Sequence, residues 1–242
     1  MLAVKCEKVT KKFKEVTALN DCSLEVAEGE LFGLLGVNGA GKTTLIKILC
    51  GLSKLSGGTA CVFGNDVNTQ MAEIKPLIGI SPQETSVAGK LTVKENLEFF
   101  AEIYYKDKAE RREAVERTVE TFSLQEVLSQ RAKTLSGGWQ RRLSIAAALV
   151  SKPKILFLDE PTLGLDVLAR RELWQVIRKI KGETTIVLTS HYLEEIEALC
   201  DKVAVLVKGR VVATGTVDEI KSGAGESSFE EAFVRIVTEA NL

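Results

Sequence analysis

Short apolar runs at both ends of this chain predict a body built on strands. Residues 31–35, "LFGLL", form a continuous apolar run, which is typical of a strand buried on both faces. The residues before this run alternate and turn at Gly29, so residues 1–35 read as strands and turns. Past Pro153 helical segments separate the strands, and this alternation predicts a parallel sheet. The strands are expected at 155–158, 184–189 and 203–207, and the helices at about 166–181 and 190–200.

Helical spacing replaces strand spacing in the middle of the chain, from about Gln83 to Ser151. Three helix starts there carry the capping-box signature, in which a short polar residue precedes a glutamate by three positions. They are Thr92 with Glu95, Asp107 with Glu110, and Ser123 with Glu126. We therefore expect a helical subdomain over about 84–151, inserted into an α/β body.

The segment 203–242 predicts a hairpin, "VLVKGRVVATG", followed by a polar link and a final helix. One face of that helix carries Phe229, Phe233, Ile236 and Val237. The chain has 242 residues, of which 45% are hydrophobic and 27% charged, and this is enough for one domain with a subdomain.

Charge and cysteine content argue against several classes of protein. With a net charge of −1, the chain lacks the excess of positive charge that is typical of nucleic-acid-binding proteins. Five scattered cysteines, none in a C-x-x-C pair, argue against a disulfide framework or a zinc site and favour a reducing compartment. The apolar runs are far shorter than the roughly 18 residues of a membrane span, and no signal peptide is expected. If the protein works at a membrane, another chain is expected to cross it.

Residues 36–43, "GVNGAGKT", have the pattern G-x-x-x-x-G-K-T between a predicted strand and a predicted helix. Glycines let backbone N–H groups wrap a phosphate, and the helix N-terminus adds a favourable dipole. Lys42 is expected at the β- and γ-phosphates and Thr43 at Mg²⁺. A chance glycine turn is the alternative, but the flanking strand and helix favour a P-loop. The loop lacks G-x-G-x-x-G, so a dinucleotide-binding fingerprint is excluded.

Two acidic residues end the apolar run "ILFL", at the edge where α/β sheets place their ligands. Asp159 suits Mg²⁺, directly or through water, and Glu160 suits the attacking water. Two solvated acids would be the simpler interpretation without the P-loop. His191, the only histidine, follows another strand and opens a helix that Ser190 can cap. It is expected to hold a γ-phosphate oxygen, with a structural role as the alternative.

The stretch "TLSGGWQRRLSIAAALV" predicts a second anion site, which has no lysine. Ser136 can cap the helix 137–151, and Gly137 and Gly138 leave its first N–H groups open to an anion. The P-loop already wraps the α- and β-phosphates of its own nucleotide, so a γ-phosphate remains for this site. Because the helical subdomain is expected to stand off the body, Ser136 need not reach the P-loop of its own chain.

These motifs resemble the nucleotide-binding domain of ABC transporters over nearly the whole chain. "GVNGAGKT" resembles the Walker A loop, "ISPQE" with Gln83 the Q-loop, and "LSGGWQ" the signature. "ILFLDE" resembles Walker B, "TLGLD" ending at Asp166 the D-loop, and His191 the switch histidine. All six come in the family's order and spacing. Trp139 departs from the pattern, because that position usually holds glutamine or another polar or flexible residue.

The resemblance implies an α/β fold, a P-loop NTPase core with a mainly parallel central sheet, an N-terminal antiparallel β subdomain and an inserted helical subdomain. A single domain is implied over 1–242, with a C-terminal hairpin and helix at about 203–242. The implied cofactors are ATP and Mg²⁺, with Thr43, Gln83 and Asp159 at the metal.

The resemblance also implies the site residues. The residues implied to be catalytic are Lys42, Gln83, Glu160 and His191. Phe13 stands where the family stacks an aromatic ring on adenine, and core packing is its alternative role. The residues expected to bind nucleotide are Phe13, Val16, Gly36, Asn38, Gly39, Ala40, Gly41, Lys42, Thr43, Thr44, Ser136, Gly137, Gly138 and Asp166.

The implied partners are a second nucleotide-binding domain and a separate membrane permease. Two such domains dimerise head to tail, as a homodimer or a heterodimer, and each signature caps the γ-phosphate held by the other P-loop. The chain is expected as a peripheral subunit at the cytoplasmic face of the membrane, with no nucleic-acid partner. Part of the apolar face of helix 92–105, which carries Phe99, Phe100, Ile103 and Tyr104, is expected to line the docking groove.

Other functions stay open as alternatives. Within transporters, the C-terminal stretches resemble the drug and polysaccharide exporter branch, and a metabolite importer is the alternative. A DNA-repair ATPase would split its nucleotide halves with a long coiled coil, but the insert here has no sustained heptads. A translation factor of the same superfamily carries two nucleotide domains in one chain, and a GTPase would need an N-K-x-D motif. The transported substrate depends on the permease and is not readable from this sequence.

Overall fold

Residues 1–241, which the computed structural model describes, contain ten strands in two sheets. The strands are β1 (Leu2–Phe13), β2 (Val16–Ala27), β3 (Leu31–Leu35), β4 (Gly57–Val62), β5 (Asn65–Asp66), β6 (Ile78–Ser81), β7 (Ile155–Asp159), β8 (Thr185–Ser190), β9 (Lys202–Val207) and β10 (Arg210–Gly215). One sheet is antiparallel, in the order β2-β1-β4-β5. The other has the order β10-β9-β3-β8-β7-β6, and only its edge strand β10 is antiparallel to its neighbour.

Nine α-helices accompany the sheets in this part of the chain. They are α1 (Lys42–Leu49), α2 (Met71–Ile74), α3 (Val93–Tyr104), α4 (Lys108–Thr121), α5 (Gly137–Leu149), α6 (Val167–Ile180), α7 (Leu193–Leu199), α8 (Val217–Ala224) and α9 (Phe229–Glu239). None of the helices described is both long and apolar enough to cross a bilayer.

The apolar runs form the centre of the parallel sheet, as the sequence predicts. All side chains of β3, β7 and β8 are buried, because helices or the second sheet cover both faces. Along β3, Phe32 and Leu34 face α1 and the antiparallel sheet, whereas Leu31 packs with the helices of the middle segment. The α/β fold class, the mainly parallel sheet and the antiparallel N-terminal sheet are therefore confirmed.

Two of the three predicted helix starts are present, and the third is wrong. Thr92 forms a complete capping box with Glu95, and Asp107 caps α4 by accepting from two backbone N–H groups. Ser123 instead ends α4: it has a left-handed φ of 51°, and the N–H groups of Ser123 and Leu124 bond back to the carbonyls of Glu120 and Val119. This is a Schellman arrangement, which closes a helix, and only a single 3₁₀ turn follows it.

The predicted polar link after β10 is also wrong, because it contains helix α8. Thr216 and Glu219 form a capping box at its start, and Gly225, with φ 69°, ends it. Ile220 of α8 and Phe229 of α9 pack against Leu35 at the end of β3. Two helices, where the sequence predicted one, therefore cover this end of the sheet.

Candidate functional site

The loop between β3 and α1 has room for glycine alone at two positions. A Cβ on Gly36 would lie 2.5 Å from the carbonyl oxygen of Leu206. Gly41 has φ 108°, and a Cβ there would lie 2.6 Å from the carbonyl oxygen of Ala18. The loop is thus pressed against neighbouring strands, and its backbone N–H groups are left next to the N-terminus of α1.

Lys42, at the start of α1, points its ammonium group back into this loop. Its Nζ donates to the carbonyl oxygen of Gly36 at 2.7 Å and lies 3.1 Å from Oε1 of Glu160. The residue is only 6% exposed. A buried ammonium group needs such partners, so Lys42 holds Glu160 against the loop.

Asp159 ends β7 and is linked to two hydroxyl groups. Its Oδ1 accepts from Thr43 Oγ1 at 3.0 Å and from Thr189 Oγ1 at 2.6 Å. Asp159 pairs with Thr189 in the register of β7 and β8, so the parallel ladder itself brings these side chains together. The result is a buried carboxylate beside the first turn of α1.

Glu160 leaves β7 in a strained backbone conformation. Its φ of 49° lies in the left-handed region, which is uncommon for a residue other than glycine. Its N–H donates to Oγ1 and to the carbonyl oxygen of Thr189, at 2.9 and 3.2 Å. This turn directs the carboxylate between Lys42 and His191, whose Nδ1 lies 2.7 Å from Glu160 Oε2.

His191 directly follows β8, but it does not open a helix. Helix α7 begins at Leu193, and Ser190 Oγ accepts from the N–H of Tyr192 at 2.9 Å. Ser190 therefore stabilises a turn, and the predicted cap at this position is wrong. The turn still places the imidazole where the sequence predicted it, at the carboxyl ends of the parallel strands.

A cleft of about 530 Å³ collects most of the predicted site residues. Ala18 and Leu163 also line the cleft, although the sequence did not predict them. The predicted residues Val16, Gly36 and Asp159 do not line it. The predicted residues that line the cleft are Phe13, Asn38, Gly39, Ala40, Gly41, Lys42, Thr43, Thr44, Gln83, Glu160 and His191.

Phe13 lies at the rim of this cleft and is 49% exposed. Its alternative role in core packing is therefore wrong. Lys11 Nζ stands 4.6 Å from the centre of the ring, so one face of the ring carries a cation. Val16 pairs with Phe13 across the β1–β2 hairpin and is also exposed.

The backbone at Gln83 is held by Arg141, a residue that the sequence did not single out. The guanidinium group of Arg141 donates to the carbonyl oxygens of Pro82 and Gln83, and burial lowers its pKa. No hydrogen bond within residues 1–241 joins the Gln83 side chain to Thr43 or Asp159. Arg141 stands out in the sequence only as a basic residue in a largely apolar helix.

The second anion motif lies apart from the cleft. Ser136 and Gly138 line a separate depression of about 50 Å³. Ser136 and Gly137 are exposed at the N-terminus of α5, and Ser136 Oγ accepts from the N–H of Trp139 at 3.5 Å. Asp166 likewise lies outside the cleft lining and caps α6 through the N–H groups of Leu168 and Ala169.

Trp139, the departure from the family pattern, packs within its own chain. Its ring lies against the guanidinium group of Arg142, with 4.5 Å between ring centre and Cζ. Arg142 in turn pairs with Glu172 of α6 at 2.9 Å. The tryptophan therefore links the start of α5 to α6.

Comparison with known proteins gives one family. The family described as ABC transporter matches residues 19–163, more than half of the chain. The chain is 40% identical over 229 residues to the daunorubicin resistance ATP-binding protein DrrA2 of Streptomyces coeruleorubidus, covering 94% of this chain and 71% of DrrA2. A dimeric ATP-binding cassette in a post-hydrolysis state with ADP and Pi superposes with a TM-score of 0.78 at 28% identity, covering 88% of this chain and 98% of the cassette.

Another relative is much longer than this chain. The probable multidrug ABC transporter ATP-binding protein YbhF of Escherichia coli is 35% identical over 240 residues. That alignment covers 97% of this chain but only 41% of YbhF, so the chain spans less than half of that relative.

Proposed function

Since this chain belongs to the ABC transporter family, we propose that it binds and hydrolyses ATP as a dimer and so drives a separate membrane permease. The observation that carries this proposal is the position of Glu160 between Lys42 and His191, at the edge of the parallel sheet. One carboxylate there faces both a phosphate-binding lysine and an imidazole. This is the arrangement that phosphoryl transfer to water needs, because its catalysis is mainly positioning and charge stabilisation.

The cleft suits ATP and Mg²⁺ in its donor set. Gly39, Ala40 and Gly41 line the cleft with no side chain larger than a methyl group, so a triphosphate would meet backbone N–H groups and Lys42. Thr43 and Asp159 offer a hydroxyl and a carboxylate oxygen 3.0 Å apart, and Mg²⁺ prefers such oxygen ligands. When bound, Mg²⁺ supplies positive charge for the phosphate oxygens. Gln83 lines the same cleft and is proposed as a further metal ligand.

Lys42 is proposed to change partners when nucleotide binds. Its Nζ now pairs with Glu160, and a phosphate oxygen competes for the same ammonium group. As Lys42 turns to the phosphate, Glu160 Oε1 becomes free to accept a proton from water. His191 stays at Oε2 and keeps the carboxylate oriented. The proposed general base is thus held inactive until the cleft is filled.

The dimer is proposed from the separation of the two phosphate motifs. Ser136 and Gly137 are exposed and line no part of the P-loop cleft, so in one chain the signature has no nucleotide to contact. A second copy placed head to tail would put each signature over the other cleft. Asp166, exposed between Glu160 and α6, lies on the segment that would meet the partner.

The permease is proposed to dock at a groove beside α3. The groove has a volume of about 760 Å³ and is lined by Leu52, Ile80, Phe100, Ile103 and Tyr104, among others. Ile103 is 62% exposed, and a large apolar side chain at such exposure is typical of an interaction surface. Pro82 lines the same groove next to Gln83, so the groove adjoins the nucleotide cleft. The relatives named for multidrug transport and daunorubicin resistance favour export over import.

Glu160→Gln tests the proposed hydrolysis. The amide keeps the shape of the side chain but carries no charge and cannot accept the proton from water, so hydrolysis falls by about 10²–10⁴-fold, the scale of a general base. ATP binding remains, and the variant accumulates as an ATP-bound dimer, measured by size exclusion and bound nucleotide. Normal turnover in this variant would contradict the role of Glu160. Co-purification with the permease from detergent extracts tests the partner separately.

A further inference from the structure

Glu195 is a fully buried acid that the proposed mechanism does not use. It lies on α7, four residues after His191, and has 0% exposure. Its Oε1 accepts from Trp174 Nε1 of α6 at 3.1 Å. Its Oε2 is buried and has no hydrogen-bond partner among residues 1–241. Buried polar atoms of this kind are rare and costly, so their position calls for an explanation.

Two hydroxyl groups stand beside this carboxyl group, those of Thr162 and Ser190. Thr162 is 1% exposed, and its Oγ1 is likewise buried without a partner in the part of the chain that is described. Thr162 comes two residues after Glu160, and Ser190 directly precedes His191. Glu195 therefore lies between the two chain segments that deliver Glu160 and His191.

Burial, more than any neighbouring charge, shifts the pKa of Glu195 upward. Burial raises the pKa of Glu195, the charge of Glu160 adds to the rise, and the Ser190, Trp174 and Thr162 side chains oppose it. On α6, Arg170 faces the rings of Trp174 and Tyr192 and pairs with Glu194. At the end of α7, burial raises the pKa of the Cys200 thiol, and the nearby Glu195 carboxyl group adds to the rise.

We propose that Glu195 is a positioning residue that ties α7 to α6 through Trp174, and thereby fixes the corner between β8 and α7 that keeps His191 in contact with Glu160. Glu160 needs such support, because its φ of 49° persists only where the surroundings hold it. Trp174 anchors one oxygen of Glu195 to α6, and the hydroxyl groups of Thr162 and Ser190 stand near the carboxyl group without a hydrogen bond to its Oε2. The inference rests on the proposed function, since the contact that Glu195 supports is the one assigned to hydrolysis.

The single histidine gives a direct readout. The imidazole ¹H–¹⁵N signals of the untagged protein report His191 alone. Glu195→Ala removes the hydrogen bond to Trp174 and is expected to shift these signals. Glu195→Gln, whose amide oxygen can still accept from Trp174 Nε1, leaves them as in the unchanged protein. Glu197→Ala, an equal truncation at an exposed position of α7, is the matched control.

Turnover gives the second readout. Displacement of a catalytic group by a fraction of an ångström is costly, so kcat for ATP in Glu195→Ala falls about ten-fold or more. KM for ATP changes little, because Glu195 does not line the nucleotide cleft. If Glu195 only stabilised the core, Glu195→Ala would lower the thermal midpoint without moving the His191 signals. If Glu195 positions His191, Glu195→Gln restores both the His191 signals and kcat.

Unchanged His191 signals in folded Glu195→Ala would overturn the proposal. If that variant does not fold, Trp174→Phe removes the hydrogen bond to Glu195 Oε1 with little change in shape. His191 signals that move in this variant support the tie, and signals that do not move refute it. Signals that respond while even the unchanged protein hydrolyses no ATP would leave the positioning role intact and reject the proposed function.

Discussion

At the residue scale, the site depends on how one backbone turn is held. Glu160 has a left-handed φ, which costs a residue with a side chain about 1–2 kcal/mol. Two hydrogen bonds from its N–H to Thr189, together with carboxylate contacts to Lys42 and His191, offset that cost. An ordinary extended conformation would not bring this carboxylate to both groups. The strain is thus part of what positions the proposed base.

A second residue-scale feature is the aromatic ring at the rim of the cleft. Phe13→Ala removes a stacking surface, which is worth about 1–3 kcal/mol for a base on an aromatic side chain. We expect the dissociation constant for ATP to rise accordingly, while turnover at saturating ATP changes less, because Phe13 is not among the residues proposed to act in hydrolysis. Titration with a fluorescent ATP analogue measures the constant.

Phe13→Tyr is the control for this prediction, because it keeps the ring. It should bind ATP as the unchanged protein does. A dissociation constant that Phe13→Ala leaves unaltered would remove Phe13 from the adenine site.

At the scale of helices and strands, the sequence correctly predicts those elements that are determined by the local spacing of apolar and polar residues. The buried strands β3, β7 and β8 are readable because their whole runs are apolar. The prediction at Ser123 is wrong because the same serine–glutamate spacing can also follow the end of a helix. The Schellman hydrogen bonds at the end of α4 show that Ser123 closes a helix and does not start one. Helix α8 was missed because it buries a single large apolar side chain, Ile220, although Thr216 and Glu219 form a capping box at its start.

The site residues fall into the same two groups. Some are recognised from local sequence, and others only from tertiary packing. The P-loop residues can be recognised from the sequence, because the backbone of the loop requires its glycines and phosphate binding requires its lysine. Arg141 and Glu195 could not be assigned from the sequence, since a charged residue on a helix is usually solvated. Only the packing of α5 against the Gln83 segment, and of α7 against α6, buries them.

Trp139 supports a prediction about how α5 and α6 are joined. Trp139→Gln restores a residue usual in the family but removes the ring from Arg142, and a partly buried cation–π contact is worth about 0.5–2 kcal/mol. We expect the free energy of unfolding to fall by an amount in that range, measured by urea denaturation. ATP affinity of the monomer should not change, because Trp139 does not line the P-loop cleft.

Trp139→Phe is the matched variant, since it keeps an aromatic ring on Arg142. It should retain most of the stability. Equal stability of Trp139→Gln and the unchanged protein would show that the ring does not join the two helices.

At the scale of the whole molecule, the two proposed anion sites lie apart from each other in one chain. The P-loop cleft contains Lys42, Glu160 and His191 but no residue of the signature. The depression at Ser136 and Gly138 contains no residue of the P-loop. Head-to-tail pairing of two copies would complete both at once, and this predicts that defects in the two motifs complement each other between subunits.

Lys42→Ala and Ser136→Arg subunits test this complementation. Each should trap no ATP alone, because every site in such a dimer lacks either the lysine or the signature. In a mixture, one site of each heterodimer pairs the intact P-loop of the Ser136→Arg chain with the intact signature of the Lys42→Ala chain. That site is complete, so trapped ATP should reappear. If the signature served its own chain, every site in the mixture would still lack one of the two residues.

Bound ATP per dimer is a better readout than turnover, because two coupled sites can both be required for cycling. Glu160→Gln in both chains stops hydrolysis, and it also removes the buried charge that Lys42→Ala would leave unpaired. Ser136 is exposed, so the arginine at that position has room outside the folded chain. Circular dichroism and thermal melting establish that both parents are folded. ATP trapped by the mixture and by neither parent supports the shared site, and no trapping by a mixture of folded subunits would show that the signature does not complete the partner's P-loop.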